Sequence, residues 1–220
     1  MTETHHLTDT DAVLDRISAR LAHRFAGVFS HETIDRYVRE SYLTLHRTAR
    51  IKTYLPVMAE HFAADRLTAL AQAKGAITKQ VPEVLFVSVH NAGRSQMAAA
   101  LLDRAALGTV HVRSAGSLPA DQINPAVLDA MTEVGIDLTA EYPKPLTDDV
   151  VRAADYVITM GCGDACPIFA GKQYLDWNVP DPHDQPLAVV RGIRDSIDTQ
   201  VHTLLSRILG TVPADRPDHV

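Results

Sequence analysis

The sequence of 220 residues has few cysteines and no long apolar run, and each shortage excludes a class of protein. Its two cysteines, Cys162 and Cys166, are too few to form a disulfide framework for a chain of this length. No stretch approaches the roughly 20 consecutive apolar residues that span a bilayer, and the N-terminus has no leader-like segment. We therefore expect a globular protein of the cytoplasm with no membrane partner.

Positive charge is also scarce. The chain carries 21 Lys and Arg against 27 Asp and Glu, a formal net charge of -6 and a pI near 6.0. Nucleic acids and anionic lipids bind to strongly basic faces, so the composition argues against both as partners. Any anion site in this protein must be local.

The N-terminal third has the apolar spacing of helices. Apolar side chains recur at steps of three and four residues, which predicts a three-helix bundle over residues 1–78. Thr8 or Thr10 is the expected N-cap of the first helix, Ser30 that of the second, and Gly75 ends the third. This segment has 10 Lys and Arg against 9 Asp and Glu, so packing or self-association is favoured over a DNA-reading helix-turn-helix.

The pattern changes in residues 79–220, which we assign to a second domain. Short β-branched runs alternate there with helical stretches, and this alternation predicts an α/β fold with a four-stranded parallel sheet flanked by helices. The expected strands are Val84–Ser88, a run around Val110–Arg113, Tyr156–Met160 and Gln173–Trp177. The expected helices span 95–106, the stretch from the cap Asn124 to about Gly135, and 187–209.

The segment from Ser88 to Ser95 joins the first predicted strand to a helix, at the edge where open α/β sheets bind ligands. Backbone N–H groups in such a loop, and the positive end of the helix, attract anions, while Arg94 offers a bidentate guanidinium. Gly93 permits a tight turn and Asn91 can fix the loop through its side-chain amide. A polar turn with a surface arginine is the alternative interpretation. We predict a site for a tetrahedral dianion, formed by Val89, His90, Asn91, Ala92, Gly93, Arg94 and Ser95.

The sequence VHNAGRSQMA in this loop resembles that of the low-molecular-weight protein tyrosine phosphatases and the arsenate reductases that share their fold. Their signature at this junction is Cys, five residues, Arg and Ser. The resemblance covers about residues 82 to 210 and implies that Arg94 clamps the anion, that Asn91 shapes the loop and that Ser95 stabilises the thiolate of the nucleophile. The position of the nucleophile itself is occupied by Ser88.

Serine at position 88 changes the expected chemistry. The pKa of a cysteine in such a loop can fall from about 8.5 to as low as about 3.5, so that it attacks as the thiolate. A serine hydroxyl is far less acidic and cannot form a disulfide. Because the rest of the loop is intact, we interpret Ser88 as a deliberate replacement of a cysteine, and we expect binding of the anion without turnover.

Two further segments separate reductase from phosphatase. The resemblance makes Asp181, in the sequence WNVPDP, the general acid. Tyrosine phosphatases of this family usually have tyrosines directly after this Asp-Pro pair, whereas this chain has His183 and Asp184. The sequence GCGDACP, which contains Cys162 and Cys166, resembles the resolving-cysteine segment of thioredoxin-coupled arsenate reductases.

The resemblance therefore implies a disulfide cascade that reduces arsenate to arsenite, as in arsenic detoxification. A thiolate at position 88 attacks arsenate, Asp181 protonates a departing oxygen, and Cys162 attacks the sulfur at position 88 so that arsenite leaves. Cys166 then attacks Cys162, and thioredoxin reduces the resulting pair. A mycothiol and mycoredoxin system as reductant is the alternative, in which a mycothiol-type thiol replaces the step of Cys166. Phosphate or sulfate is expected to occupy the same loop.

Three alternatives stay open at this point. The chain can be a tyrosine phosphatase of the same family, or a non-catalytic oxyanion sensor in which Ser88 is native. A zinc site that combines the cysteines with His90, His111 and His183 is disfavoured, because the C-x3-C spacing has no second ligand pair in the usual register. Some of these reductases bind potassium through a glutamate at the position of Ala99, so we expect neither metal nor cofactor. The N-terminal helices resemble the extensions of some actinobacterial reductases.

Overall fold

The computed structural model describes residues 3–47, 53–161 and 166–210, with side chains from residue 10 onward. These residues belong to two compact units: Met1–Lys79 with Thr147–Ala153, and Gln80–Leu146 with Ala154–Val220. Among the described helices, none has the length and apolar character needed to cross a bilayer. The elements in chain order are α1 (Glu3–Arg24), α2 (His31–His46), α3 (Leu55–Ala73), β1 (Glu83–Ser88), α4 (Arg94–Ala106), β2 (His111–Gly116), α5 (Pro125–Thr132), α6 (Asp148–Ala153), β3 (Tyr156–Met160), β4 (Gln173–Asp176) and α7 (Leu187–Ile208).

The three predicted helices precede the first strand, as expected. The Ser30 cap is confirmed, since its Oγ accepts a hydrogen bond from the backbone N–H of Thr33 at 3.2 Å. The predicted cap at Thr8 or Thr10 is wrong, because α1 begins at Glu3 and passes through both threonines. Helix α3 ends before Gly75, whose φ of 69° lies in the left-handed region that glycine adopts at low cost.

The core of the first unit is made by the apolar stripes of α1, α2 and α3. Its fully or nearly fully buried members are Leu14, Ile17, Leu21, Phe25, Ile34, Val38, Ala63 and Leu67. Since each helix alone exposes its stripe to water, burial of these side chains against one another supplies most of the stability of the unit.

The short helix α6 belongs to the first unit, although it lies between β2 and β3 in the chain. The Asp149 carboxylate accepts a hydrogen bond from the Tyr37 hydroxyl at 3.0 Å and lies 3.4 Å from Nη2 of Arg66. Burial, together with Asp149, raises the pKa of Tyr37 to about 12. The predicted second domain, residues 79–220, includes this segment, and the boundary at 78/79 stays a prediction. A helix of six residues is too short to show a periodic pattern.

The second unit contains the predicted four-stranded parallel sheet, which is confirmed with the strand order β2-β1-β3-β4. All six residues of the central strand β1 are buried, because helices cover both faces of a parallel sheet. Strand β2 runs from His111 to Gly116, later than predicted, since its Ser-Ala-Gly end lacks the β-branched residues that mark a strand in sequence.

The register of the strands brings three strand ends together. Ser88 at the end of β1 is aligned with Gly116 at the end of β2 and with Met160 at the end of β3. The connections that follow these strands therefore leave the sheet side by side, at the edge where ligands of α/β folds bind.

Candidate oxyanion site

The anion loop, residues 88–95, crosses from the end of β1 to the first turn of α4. Its backbone is tied to the connection between β2 and α5, because Leu118, Ala120 and Asn124 donate backbone hydrogen bonds to the carbonyls of residues 89, 90 and 92 at 2.8–2.9 Å. The shape of the loop is thus set by the neighbouring chain as well as by its own sequence.

Asn91 bends the loop. Its φ of 48° lies in the left-handed region, which costs an ordinary residue roughly 1–2 kcal/mol and which asparagine tolerates better than most. The fully buried side-chain oxygen accepts hydrogen bonds from the backbone N–H of Lys144 at 2.7 Å and from Nε2 of Gln96 at 3.0 Å. Gly116 leaves room for this bend, because a Cβ there would lie 2.9 Å from the Cβ of Asn91 and 2.8 Å from the carbonyl oxygen of Val89.

The side chain of residue 88 receives a directed chain of hydrogen bonds. Since the oxygen of the Asn91 amide is taken by N–H groups, its Nδ2 donates to Oγ of Ser95 at 2.8 Å. The Ser95 hydroxyl proton is then available to Oγ of Ser88, 2.8 Å away, and the Asn91 backbone N–H donates to the same atom at 3.2 Å. Two donors at this atom stabilise a negative charge there.

Arg94 and Asp181 form an ion pair at the mouth of the loop. Nη2 of Arg94 lies 2.6 Å from Oδ2 of Asp181, and Nη1 donates to the carbonyl of Val179 at 3.4 Å. The Arg94 side chain is 11% exposed, whereas that of Asp181 is 46% exposed. The guanidinium is therefore held inward while the carboxylate faces the solvent.

The loop that carries Asp181 rests directly on the anion loop. A Cβ on Gly93 would lie 2.6 Å from Cγ of Pro182, so only glycine allows the ring this close. Nδ2 of Asn124 donates to the carbonyl of Pro182 at 3.1 Å. Oδ1 of Asp181 accepts from the backbone N–H of His183 at 3.0 Å, which fixes the other carboxylate oxygen.

An open cleft lies between these two loops. Its described lining contains no Phe, Tyr or Trp side chain. The lining side chains are mostly polar or charged and include Ser88, His90, Arg94, Asn124, Asp181 and His183. A polar and charged lining of this kind suits a small anion.

Gly161, the residue before Cys162, lies beside Arg94 of this site. Gly161 follows β3 with a φ of 75°, and a Cβ on it would lie 3.1 Å from Nη1 of Arg94. Cys162 itself lies outside the described residues. Cys166 is 8% exposed, and its Sγ lies 4.0 Å from the carbonyl oxygen of Pro167.

The histidines considered for a metal are separated by the fold. His90 and His183 line the cleft, whereas His111 lies at the opposite edge of the sheet, at the start of β2. Its Nδ1 is 2.9 Å from the buried Glu83 carboxylate, and this hydrogen bond raises the pKa of His111. Arg113 donates to the same carboxylate oxygen at 3.0 Å, and burial lowers the pKa of Arg113 to about 10.

Three residues that shape the site were not among the predicted site residues. Gln96 and Gly116 support Asn91, and their neighbours in sequence give no local sign of this role. Asn124 was predicted only as a helix cap. That cap is confirmed, since its Oδ1 accepts from the backbone N–H of Ala126 at 2.9 Å.

Similarity to known proteins covers both parts of the chain. Residues 14–71 match the family model of the protein-tyrosine-phosphatase-like N-terminal domain, and residues 83–213 match that of the low molecular weight phosphotyrosine protein phosphatases. The structure is similar to that of the thioredoxin-dependent arsenate reductase Cg_ArsC1' of Corynebacterium glutamicum, with a TM-score of 0.84 and 52% sequence identity over 91% of this chain and 98% of that chain.

Two shorter relatives match more than half of this chain. The glutaredoxin arsenate reductase of Synechocystis sp. is 33% identical over 129 residues, which are 57% of this chain and 98% of that protein. The structure of an arsenate reductase in the phosphate binding state has a TM-score of 0.50 and 31% identity, and covers 58% of this chain and 99% of that one. The chain belongs to the low molecular weight phosphotyrosine protein phosphatase family.

Proposed function

We propose that the protein with cysteine at position 88 is an arsenate reductase that uses this thiol as its nucleophile. The chain with Ser88 binds the oxyanion but does not turn it over. The observation that carries the proposal is the meeting of three parts at one cleft: the two donors at residue 88, the Arg94 and Asp181 pair, and Gly161, the residue before Cys162. Similarity to a thioredoxin-dependent arsenate reductase over almost the whole chain supports it.

The anion loop and Asp181 perform the first step. With cysteine at position 88, the thiolate attacks the arsenic of arsenate that is held by Arg94 and by the N–H groups of the loop. Asp181 gives its proton to the departing oxygen, which leaves as water. The product is a sulfur–arsenic(V) adduct, and no electrons have yet been transferred to arsenic.

The cysteines perform the redox step. The Cys162 thiolate attacks the sulfur at position 88, the sulfur–arsenic bond breaks, and its electron pair stays on arsenic, which leaves as arsenite. Cys166 then attacks Cys162 and moves the disulfide to the pair 162–166. An external dithiol such as thioredoxin returns both cysteines to thiols. Because this cycle needs a reducing compartment, we place the protein in the cytoplasm.

Ser88 stops this cycle at its first step, because an alcohol neither ionises at neutral pH nor forms a disulfide. In the Ser88 chain, Arg94 and the loop N–H groups are still in place, so arsenate or phosphate binds without release of arsenite. The absence of Phe, Tyr and Trp from the described lining of the cleft weighs against the tyrosine phosphatase alternative.

The test is turnover by the Ser88→Cys protein. We expect arsenite to form from arsenate with thioredoxin and thioredoxin reductase, and the unchanged Ser88 chain to be inactive under the same conditions. A parallel assay with mycothiol and mycoredoxin identifies the natural reductant. Rapid hydrolysis of phosphotyrosine without arsenite formation would refute the proposal in favour of the phosphatase, and a serine codon in the source gene would favour the sensor.

A further inference from the structure

We propose that Asn124 is a positioning residue for the general acid: its side chain holds the acid loop, residues 179–185, while its backbone N–H holds the anion loop, and Asn124 so sets the distance between Asp181 and the bound ion. This inference rests on the proposed function, because it assigns to Asn124 a part in the step that Asp181 performs.

Asn124 holds three segments together through three different atoms. Its backbone N–H donates to the carbonyl of Ala92 in the anion loop at 2.9 Å, and its Oδ1 accepts from the backbone N–H of Ala126 in α5 at 2.9 Å. Its Nδ2 donates to the carbonyl of Pro182 in the acid loop at 3.1 Å. The orientation of the amide is fixed, because Ala126 offers a donor and Pro182 offers an acceptor.

Pro182 is the point at which the acid loop is held. Proline has no backbone N–H, so its carbonyl is the backbone group through which another segment can bind it. Gln185 also donates to this carbonyl, at 3.3 Å, but that bond lies within the acid loop and does not fasten the loop to the site. On its other side the buried ring of Pro182 packs on Gly93. With both sides held, the neighbouring Asp181 has little freedom to move away from Arg94.

The role as a helix cap does not account for the bond to Pro182. Capping uses only Oδ1, and serine caps helices about as well as asparagine. A cap also requires no contact with a residue 58 positions away in sequence. Asn124→Ser therefore keeps the cap and removes the Nδ2 donor, which separates the two roles.

The first measurement is hydrogen–deuterium exchange in the Ser88 chain, with and without Asn124→Ser. The backbone amides of His183 and Gln185 are bonded within the acid loop, so loosening of the loop exposes them. We expect these amides to exchange about three- to tenfold faster in the variant, whereas the amides of α5 stay unchanged. The matched control is Asn178→Ser, the same substitution at an exposed asparagine just before the acid loop. Unchanged exchange of residues 183 and 185 would overturn the proposal.

The second measurement is a double-mutant cycle on the Ser88→Cys protein, read as the single-turnover rate of arsenite formation. We expect Asn124→Ser to slow this rate about tenfold when Asp181 is present and to have no further effect on the Asp181→Asn protein, since it acts through Asp181. Equal losses in both backgrounds would mean that Asn124 acts on the ion itself, and this would overturn the proposal, as would an unchanged rate. If the Ser88→Cys protein makes no arsenite at all, the proposed function fails, and the exchange measurement still decides the role of Asn124.

Discussion

At the scale of single residues, the ion pair between Arg94 and Asp181 places a carboxylate against the guanidinium that is proposed to bind the anion. The carboxylate oxygen at 2.6 Å occupies part of the guanidinium that an oxyanion needs, so the two negative groups compete for one cation. The residue proposed as the general acid thus also lowers the affinity of the site for its ligand.

Asp181→Asn in the Ser88 chain is therefore expected to bind inorganic phosphate more tightly. The amide keeps the shape of the side chain but removes the competing charge, and we expect a gain of about tenfold in affinity, which corresponds to about 1.4 kcal/mol. Isothermal titration calorimetry at fixed ionic strength measures the change.

Asp184→Asn is the matched control for this prediction. It removes a carboxylate from the same loop whose side chain is 89% exposed, and its φ of 53° is one that asparagine tolerates. We expect its phosphate affinity to stay within about twofold, given the weakness of exposed charge pairs. Weaker binding by Asp181→Asn, or the same gain in both variants, would contradict the competition between Asp181 and the anion.

Local sequence indicates where the anion loop bends, because several hydrogen bonds that shape it join residues at most seven positions apart and because two positions carry residue types with special backbone preferences. Asn91 and Gly93 are such types, and both stand where a bend or a close approach is found. The bond from Asn124 to Pro182 joins residues 58 positions apart, and that between Arg94 and Asp181 joins residues 87 apart. Pairings at such separation follow from the topology of the sheet, which local patterns do not encode.

At the scale of elements, α6 shows how a short helix depends on its surroundings. Six residues form too few internal hydrogen bonds to be stable alone, so α6 requires tertiary contacts. Val150 and Val151 are buried, and Asp149 is bound by Tyr37 and Arg66. The helix is therefore held by both apolar burial and a partly buried charge pair.

Asp149→Ala is expected to lower the free energy of unfolding by about 2–3 kcal/mol, because it leaves the buried Tyr37 hydroxyl and the Arg66 guanidinium with one partner fewer. Urea denaturation followed by circular dichroism measures the loss. Asp148→Ala changes the exposed neighbour in the same turn and is expected to cost a few tenths of a kcal/mol. Equal losses in the two variants would show that the charge pair contributes nothing specific.

The shortness of α6 also explains why the sequence did not predict it, because six residues are too few to show a periodic apolar pattern. Longer helices such as α4 and α7 carry their own periodic pattern, and their predicted ranges differ from the observed ones by one residue at an end. The strands of the sheet were placed nearly as well, apart from β2, whose second half consists of small residues.

At the scale of the whole molecule, the edge of the sheet opposite the cleft makes stability depend on pH. The pKa of His111 is raised in the folded state, chiefly by its hydrogen bond to Glu83. A raised pKa means that the folded protein holds this proton more tightly than the unfolded chain. The stabilisation is complete below the ordinary pKa of about 6.5 and is lost as the pH rises through the raised value.

His111→Gln is expected to remove this dependence. The melting temperature of the unchanged chain should fall more steeply than that of the variant as the pH rises from about 6 towards 8, since only the unchanged chain loses the charged pair. Calorimetric scans at a series of pH values measure both slopes. Identical slopes in the two proteins would show that the His111 and Glu83 pair does not couple folding to pH.

The membership of α6 in the first unit means that this unit is completed late during synthesis. A ribosome releases the three N-terminal helices first, but the segment that completes their unit emerges only with residues 147–153, after two strands of the sheet. Until then Tyr37 and Arg66 lack a partner that they have in the finished protein. Recombination that exchanges the N-terminal helices between related proteins must therefore include residues 147–153, so that the contacts of α6 with Tyr37 and Arg66 are preserved.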